Sequence, residues 1–215
     1  MTGPFALSQA GFGPVVWRTR GDLVLFGVTA AVLSLLLLRP PAFRMVDWIY
    51  VLQHLIVLAI ALARPAPLVR DDSMGSNVAV AIAYLYPYAQ VICLSWWPCR
   101  TTWPQGGRVL VGVAAGFTVV CLLTLGKRFG VRPALRGLLT RGPYRLVRHP
   151  LYLSYLMADI GYDLQLWNPL TLVLVVLAWS AMIYRIVAEE RVLSLDPKWP
   201  IYARSVRQRL IPGIW

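Results

Sequence analysis

Arg141-Gly-Pro-Tyr-Arg-Leu-Val-Arg-His-Pro-Leu-Tyr152 closes an arginine-rich polar stretch and opens a hydrophobic one, and Arg185-Ile-Val-Ala-Glu-Glu190 ends the hydrophobic run that follows. Between them lie two apolar segments, about 150–166 and 169–187, separated by Trp167-Asn168-Pro169. Proline fixes its own backbone and biases the residue before it away from helix, so this break reads as a tight turn between two helices, a helical hairpin. Both glutamates of the chain and one of its two histidines stand in the two quoted segments. Titratable chemistry is therefore concentrated where hydropathy switches off, at the boundary of a membrane.

The rest of the chain agrees with a membrane setting. Of 215 residues 58% are hydrophobic and 14% charged, and the mean hydropathy is +0.62, too apolar to hide inside a soluble domain of this size. Spanning a hydrocarbon core takes roughly 20 apolar residues, fewer where flanking aromatic and arginine side chains reach the interface. Six runs approach that length, at about 22–38, 46–63, 78–98, 107–125, 150–166 and 169–187. The expected fold is all-α, a polytopic bundle of about six transmembrane helices, with an N-terminal part at 1–125 and a distinct region at 126–215.

The net charge of +12 arises from arginines in short stretches between apolar runs, without the exposed aromatics of a nucleic-acid face, so it reads as a topology signal. With the N-terminus placed in the cytoplasm, seventeen Arg and Lys fall on that side and Arg39, Arg44, Arg100 and Arg108 on the other. Both termini and the 126–148 loop are then cytoplasmic. Cys93, Cys99 and Cys121 lack paired spacing, and two histidines do not make a usual metal set, so neither a disulfide nor a metal site is expected. The first twenty residues carry no clean cleavage signal. Trp96, Trp97 and Trp103 suit an aromatic belt at the outer boundary.

Residues 126–149 are too polar for lipid and too rich in Gly and Pro for one long helix, so a loop with a short helical or extended piece is expected, its glycines letting backbone approach a ligand closely. Pro150 suits the first turn of the next helix, with His149 near the N-cap and Tyr152 in the opening turn. Such a terminus attracts an anion. Arg185 and Glu189 share one helix face at i, i+4, and Glu190 points roughly 100° away, so the two glutamates cannot do the same job. A carboxylate at the membrane boundary needs a cationic partner: Arg185, a loop arginine or a ligand's ammonium.

Taken singly, these features have ordinary readings. Arg148-His149 suits an interface anchor, and Arg185 with Glu189 suits a helix salt bridge. His54 reads as a buried, satisfied histidine, and Asp159 with Asp163 as structural or substrate-pocket groups. The combination of the two quoted segments is what marks a site.

The order Gly-Pro-Tyr-x-x-x-Arg-His-Pro-x-Tyr, an apolar hairpin with Asn-Pro at its turn, Arg-x-x-x-Glu-Glu, Tyr202 and a terminal Arg-Leu-Ile-Pro-Gly resembles the isoprenylcysteine carboxyl methyltransferase superfamily over about residues 121–215. That superfamily also includes membrane phospholipid N-methyltransferases, and the likeness is greatest to bacterial members, which implies an inner-membrane location. The resemblance implies a methyltransferase that uses S-adenosyl-L-methionine and releases S-adenosyl-L-homocysteine. It implies that Arg136, Gly137, Leu138, Leu139 and Tyr144 line the cofactor, largely through backbone. His149, Pro150, Leu151 and Tyr152 match the second cofactor segment, Glu189 the glutamate that holds the cofactor, and Arg185 the arginine on the substrate side. The loop is shorter than in the eukaryotic enzymes, so no contact before Arg136 carries over.

On this reading Arg185 and His149 are the candidate catalytic residues. The expected partners are a lipophilic or lipid acceptor and membrane lipids, with no nucleic acid and no obligate protein. A carboxylate acceptor needs no base, whereas an amine must lose a proton, a task for His149. Two alternatives stand beside it: an NADPH-dependent reductase of the sterol reductase type, and a non-enzymatic membrane scaffold.

Overall fold

The computed structural model describes Gly27 and residues 45–215 apart from Ala66. The expected span at 22–38 and the topology arginines Arg18, Arg20, Arg39 and Arg44 lie outside the described residues. Helices α1 (Met45–Ala63), α2 (Met74–Trp96), α3 (Pro104–Leu125), α4 (Pro150–Gln165) and α5 (Pro169–Leu193) form the body, with a short α6 (Trp199–Ser205) after them. Two-residue strands β1 (Val69–Arg70) and β2 (Ala134–Leu135) pair antiparallel, Val69 opposite Leu135 and Arg70 opposite Ala134.

Local chemistry sets the helix starts. Pro104, Pro150 and Pro169 each occupy a first-turn position, where a missing N–H costs nothing. Asn168 caps α5 by accepting from the Thr171 amide while the Thr171 hydroxyl accepts from the Asn168 amide. Ser73 caps α2 from the Ser76 amide. Among the described residues, three helices are long and apolar enough to cross a membrane: α2, α3 and α5. α1 has a shorter apolar stretch, Val51–Ala63, and α4, at 16 residues, spans about 24 Å.

The helical hairpin at 150–187 is present as a turn, but its arms part: α4 packs chiefly on α3, and α5 on α2. Small residues explain the first pairing. A side chain at Gly107 would meet the Gly161 carbonyl at 2.5 Å, so these backbones run nearly in contact, and Thr118 donates to the Ser154 hydroxyl at 2.8 Å one stage further along. α1 packs on the same helix α3, where Gln53 donates across to the Ala115 carbonyl at 2.8 Å. At one end of the bundle, Arg100 and Trp167 exchange backbone hydrogen bonds of 2.8 and 2.9 Å, tying the α2–α3 connector to the α4–α5 turn. Trp96, Trp97 and Trp103 are exposed at this end. The arginine-rich loop and the C-terminal segment gather at the other.

Candidate functional site

The loop after α3 takes the expected mixture of short pieces: a 3-10 turn at Gly126–Arg128, β2, and a second 3-10 turn at Gly142–Arg145. Gly137, at φ 90°, and Gly142, at φ 59°, hold left-handed backbone that a side chain would strain. Gly142 also lies so close to Thr124 that a Cβ would meet its methyl at 2.9 Å. His149 caps α4 by position but not by side chain, which leaves the helix N-terminus uncapped. Tyr152 is in the opening turn, as its spacing requires.

The two glutamates divide as their helical angle demands. Glu190 is bound on three sides: Arg148 at 3.1 Å, His149 Nε2 at 3.4 Å and Arg209 at 2.9 Å. Arg148 also donates to the carbonyls of Val206 and Ala203, each at 2.8 Å, and lies over the Trp199 ring at 5.5 Å. The amides of Arg148 and His149 donate to the carbonyls of Gln208 and Arg209 at 2.9 and 2.8 Å, and the Tyr202 hydroxyl donates to the Tyr144 carbonyl at 2.8 Å. Glu190 is thus the electrostatic centre of a clamp that holds the C-terminal segment against the Arg-His-Pro turn. His149 lies within it, 3% exposed, its ring 5.7 Å from that of Tyr152.

Glu189 is placed differently. Its half-buried carboxylate accepts from the Tyr152 hydroxyl at 2.9 Å, and among the described residues no Arg, Lys or His comes within ion-pair distance. Arg185, one turn back, does not form the helix salt bridge that its spacing allows. It is 7% exposed, leans over the Tyr152 ring at 5.5 Å and donates Nη2 to the Val131 carbonyl at 2.8 Å, while its buried Nε has no partner among the described residues. The buried Tyr144 hydroxyl also lacks a partner, and burial, then Cys121 and Glu189, push that phenol well above its usual range, so it stays a protonated donor. Glu189, Tyr152, Arg185 and Tyr144 therefore come together around a carboxylate that has no ion pair among the described residues.

Arg136, Gly137 and Leu138 lie on the strand end and turn that follow β2, and Leu139 is buried. The Arg136 side chain turns toward the start of β1, donating Nε to the Pro65 carbonyl at 3.4 Å. Pro150 and Leu151 are buried in the first turn of α4. Deeper in the bundle, Asp159 accepts from the Trp179 indole at 2.8 Å, and one oxygen of Asp163 is buried without a partner. The sequence alone offers Arg148 only as half of an interface anchor with His149 and assigns no role to Glu190 and Arg209. Their signal was the closing Arg-Leu-Ile-Pro-Gly and Tyr202, whose partners are mostly backbone carbonyls that no side-chain pattern reveals.

Residues 109–195 match the isoprenylcysteine carboxyl methyltransferase (ICMT) family, a stretch that runs from α3 through the Arg-His-Pro turn to just beyond Glu190. The chain is 38% identical over 73 residues to protein-S-isoprenylcysteine O-methyltransferase A of Arabidopsis thaliana, a match that covers 33% of this chain and 37% of that protein. The likeness thus spans little more than a third of the relative's length. The family match leaves out α1, β1, α2 and the C-terminal segment after residue 195. By the match over residues 109–195, the part of the chain that builds this site is similar to the isoprenylcysteine carboxyl methyltransferase family.

Proposed function

We propose that the protein is an integral membrane methyltransferase that transfers a methyl group from S-adenosylmethionine to a lipophilic acceptor, a carboxylate of a prenylated or lipid-like molecule. The carrying observation is Glu189, without an ion pair among the described residues, with the unpartnered Tyr144 hydroxyl and Arg185 Nε in the same cluster. These groups fit the donor's chemistry. Glu189 would take its ammonium, the uncapped α4 N-terminus beside Leu151 and Tyr152 its carboxylate, and the backbone of 136–139 its adenine. Bound there, S-adenosylmethionine supplies a methyl group already activated by the sulfonium charge. The chain's own residues then position the acceptor and keep water out.

The unpartnered Arg185 Nε suits an acceptor carboxylate, because a guanidinium edge is complementary to two oxygens. A carboxylate nucleophile needs no base, which accords with a His149 ring already engaged by Glu190. Residues 126–215 act as the catalytic region, and the excess of arginine around its loop supports a cytoplasmic placement in a multi-pass, inner-membrane protein of about six spans. The acceptor reaches the site sideways from the lipid.

Thermal unfolding of the detergent-purified protein tests this reading. At about 100 Kd, S-adenosylmethionine or S-adenosylhomocysteine should add about 2.7 kcal/mol of stability. A shift with NADPH alone would move the protein to the reductase class, and no shift with any of the three would favour the scaffold. A second prediction separates the two halves of the site. Arg185→Ala should raise the acceptor KM about tenfold or more and leave S-adenosylhomocysteine affinity nearly intact. Loss of cofactor affinity in that variant would refute the division of labour.

A further inference from the structure

The small β1–β2 sheet has two unlike faces. Val69 and Leu135 stand opposite each other and pack on Val192 and Leu193 at the end of α5. Arg70 is opposite Ala134, so with the period-2 alternation of strands Arg70 and Arg136 project from the other face as diagonal neighbours. The pairing continues through the Asp71 amide to the Pro133 carbonyl at 3.0 Å, which brings Asp72 beside Arg132. Arg64 joins the group from the end of α1, donating to the Phe129 carbonyl at 3.3 Å. Arg136 comes to the adjacent residue, its Nη1 lying against Gly130 where a Cβ would stand.

Four guanidiniums thus meet two carboxylates. Asp72 is shared by Arg70 at 2.7 Å and Arg132 at 3.0 Å, and Asp71 is engaged by the Ser73 amide at 2.9 Å. Among the described residues Arg136 has no carboxylate partner, and its Nη1 and the Nε of Arg70 are buried with no acceptor. Burial, and then the charges of Arg64 and Arg70, push Arg136 down to about 10, the direction expected where cations crowd. A buried donor without an acceptor is costly, and here a small rotation of either guanidinium would present it to an oxygen-rich anion.

We infer that the arginine face of the β1–β2 sheet, formed by Arg64, Arg70 and Arg136, binds a phosphate-class anion at a site separate from Glu189. The face lies where α1 ends and α2 begins, outside the apolar helix stretches, where an anionic headgroup can reach a cationic surface. The same chemistry can come from an anionic phospholipid headgroup or from soluble phosphate. Arg64 and Arg70 lie outside the stretch that matches the methyltransferase family, so the site does not follow from that likeness.

The test uses the full chain in neutral detergent at constant ionic strength. Melting is followed with phosphatidic acid, phosphatidylcholine or sodium phosphate added. Phosphatidic acid should raise the melting temperature saturably and phosphatidylcholine should not. A shift with phosphate alone would assign the site to a soluble ligand. Arg70→Gln and Arg136→Gln should each weaken the apparent affinity at least tenfold, whereas Asp72→Asn, which removes a competing carboxylate, should preserve or tighten it. Should Arg136→Gln not fold, Arg70→Gln against Asp72→Asn still decides. The inference is overturned by no shift with either ligand, by equal weakening in Arg70→Gln and Asp72→Asn, by full affinity in the arginine variants, or by displacement of the anion on adding S-adenosylhomocysteine.

Discussion

Glu189→Gln is expected to weaken S-adenosylhomocysteine binding about 30- to 160-fold, corresponding to the loss of about 2–3 kcal/mol from a charge-assisted contact. The amide keeps an oxygen that can accept from the Tyr152 hydroxyl, so the link between α4 and α5 survives the change. No internal ion pair is broken, because among the described residues Glu189 has none. The ligand-free melting temperature should therefore stay close to wild type while the shift produced by saturating cofactor product largely disappears. Isothermal titration or ligand-dependent melting reads both quantities on one sample. An unchanged affinity would show that the cofactor's ammonium is held elsewhere, and with it the proposed site would fall.

The separation of roles between two adjacent glutamates was partly visible in the sequence. A helical offset of about 100° says that Glu189 and Glu190 face different surroundings. It does not say which of them meets the C-terminal segment, since that depends on how residues 199–215 return to the Arg-His-Pro turn. The return is fixed by carbonyls of Ala203, Val206, Gln208 and Arg209, groups every residue carries. Likewise the spacing of Arg185 and Glu189 permits a salt bridge. The alternative, a ring beneath the guanidinium and the Val131 carbonyl at its tip, involves residues distant in sequence.

Helix positions were easier to read than helix partners. Pro104, Pro150 and Pro169 announce three starts by a purely local rule, and apolar run length locates the helices, three of which, among the described residues, are long enough to cross a membrane. The ends were less legible. α5 continues to Leu193, beyond the expected 187, because Arg185, Glu189, Glu190 and Arg191 are good helix formers even where hydropathy has stopped. α2 begins at Met74 rather than 78 because Ser73 caps it there. The separation of α4 from α5 was hidden for another reason. In lipid, pairing follows close backbone approach more than apolarity, so Gly107 and Gly161 outweigh the sequence adjacency of the hairpin.

Glu190→Ala should fail in the opposite way from Glu189→Gln. Its carboxylate is 11% exposed and faces Arg148, at 12%, and His149, at 3%, so its removal leaves Arg148 Nη1 and the His149 ring facing one another without the carboxylate they share. Breaking a buried pair of this kind costs about 3–5 kcal/mol. The third partner adds little, because Arg209 is 39% exposed and a solvent-screened bridge is worth about 1 kcal/mol or less. Arg209→Ala is accordingly the mild control. With Glu190 gone, the donors of Arg148 still reach the Val206 and Ala203 carbonyls, but the charge that seats the guanidinium is lost and the C-terminal segment loosens. The expected signature is a large fall in melting temperature together with early tryptic cleavage at Arg204, Arg207 or Arg209. Near-normal melting and protection in Glu190→Ala would mean that backbone hydrogen bonds alone hold the clamp. The Arg-His-Pro turn would then owe its position to α4 packing, and the second glutamate would be open for a role at the ligand.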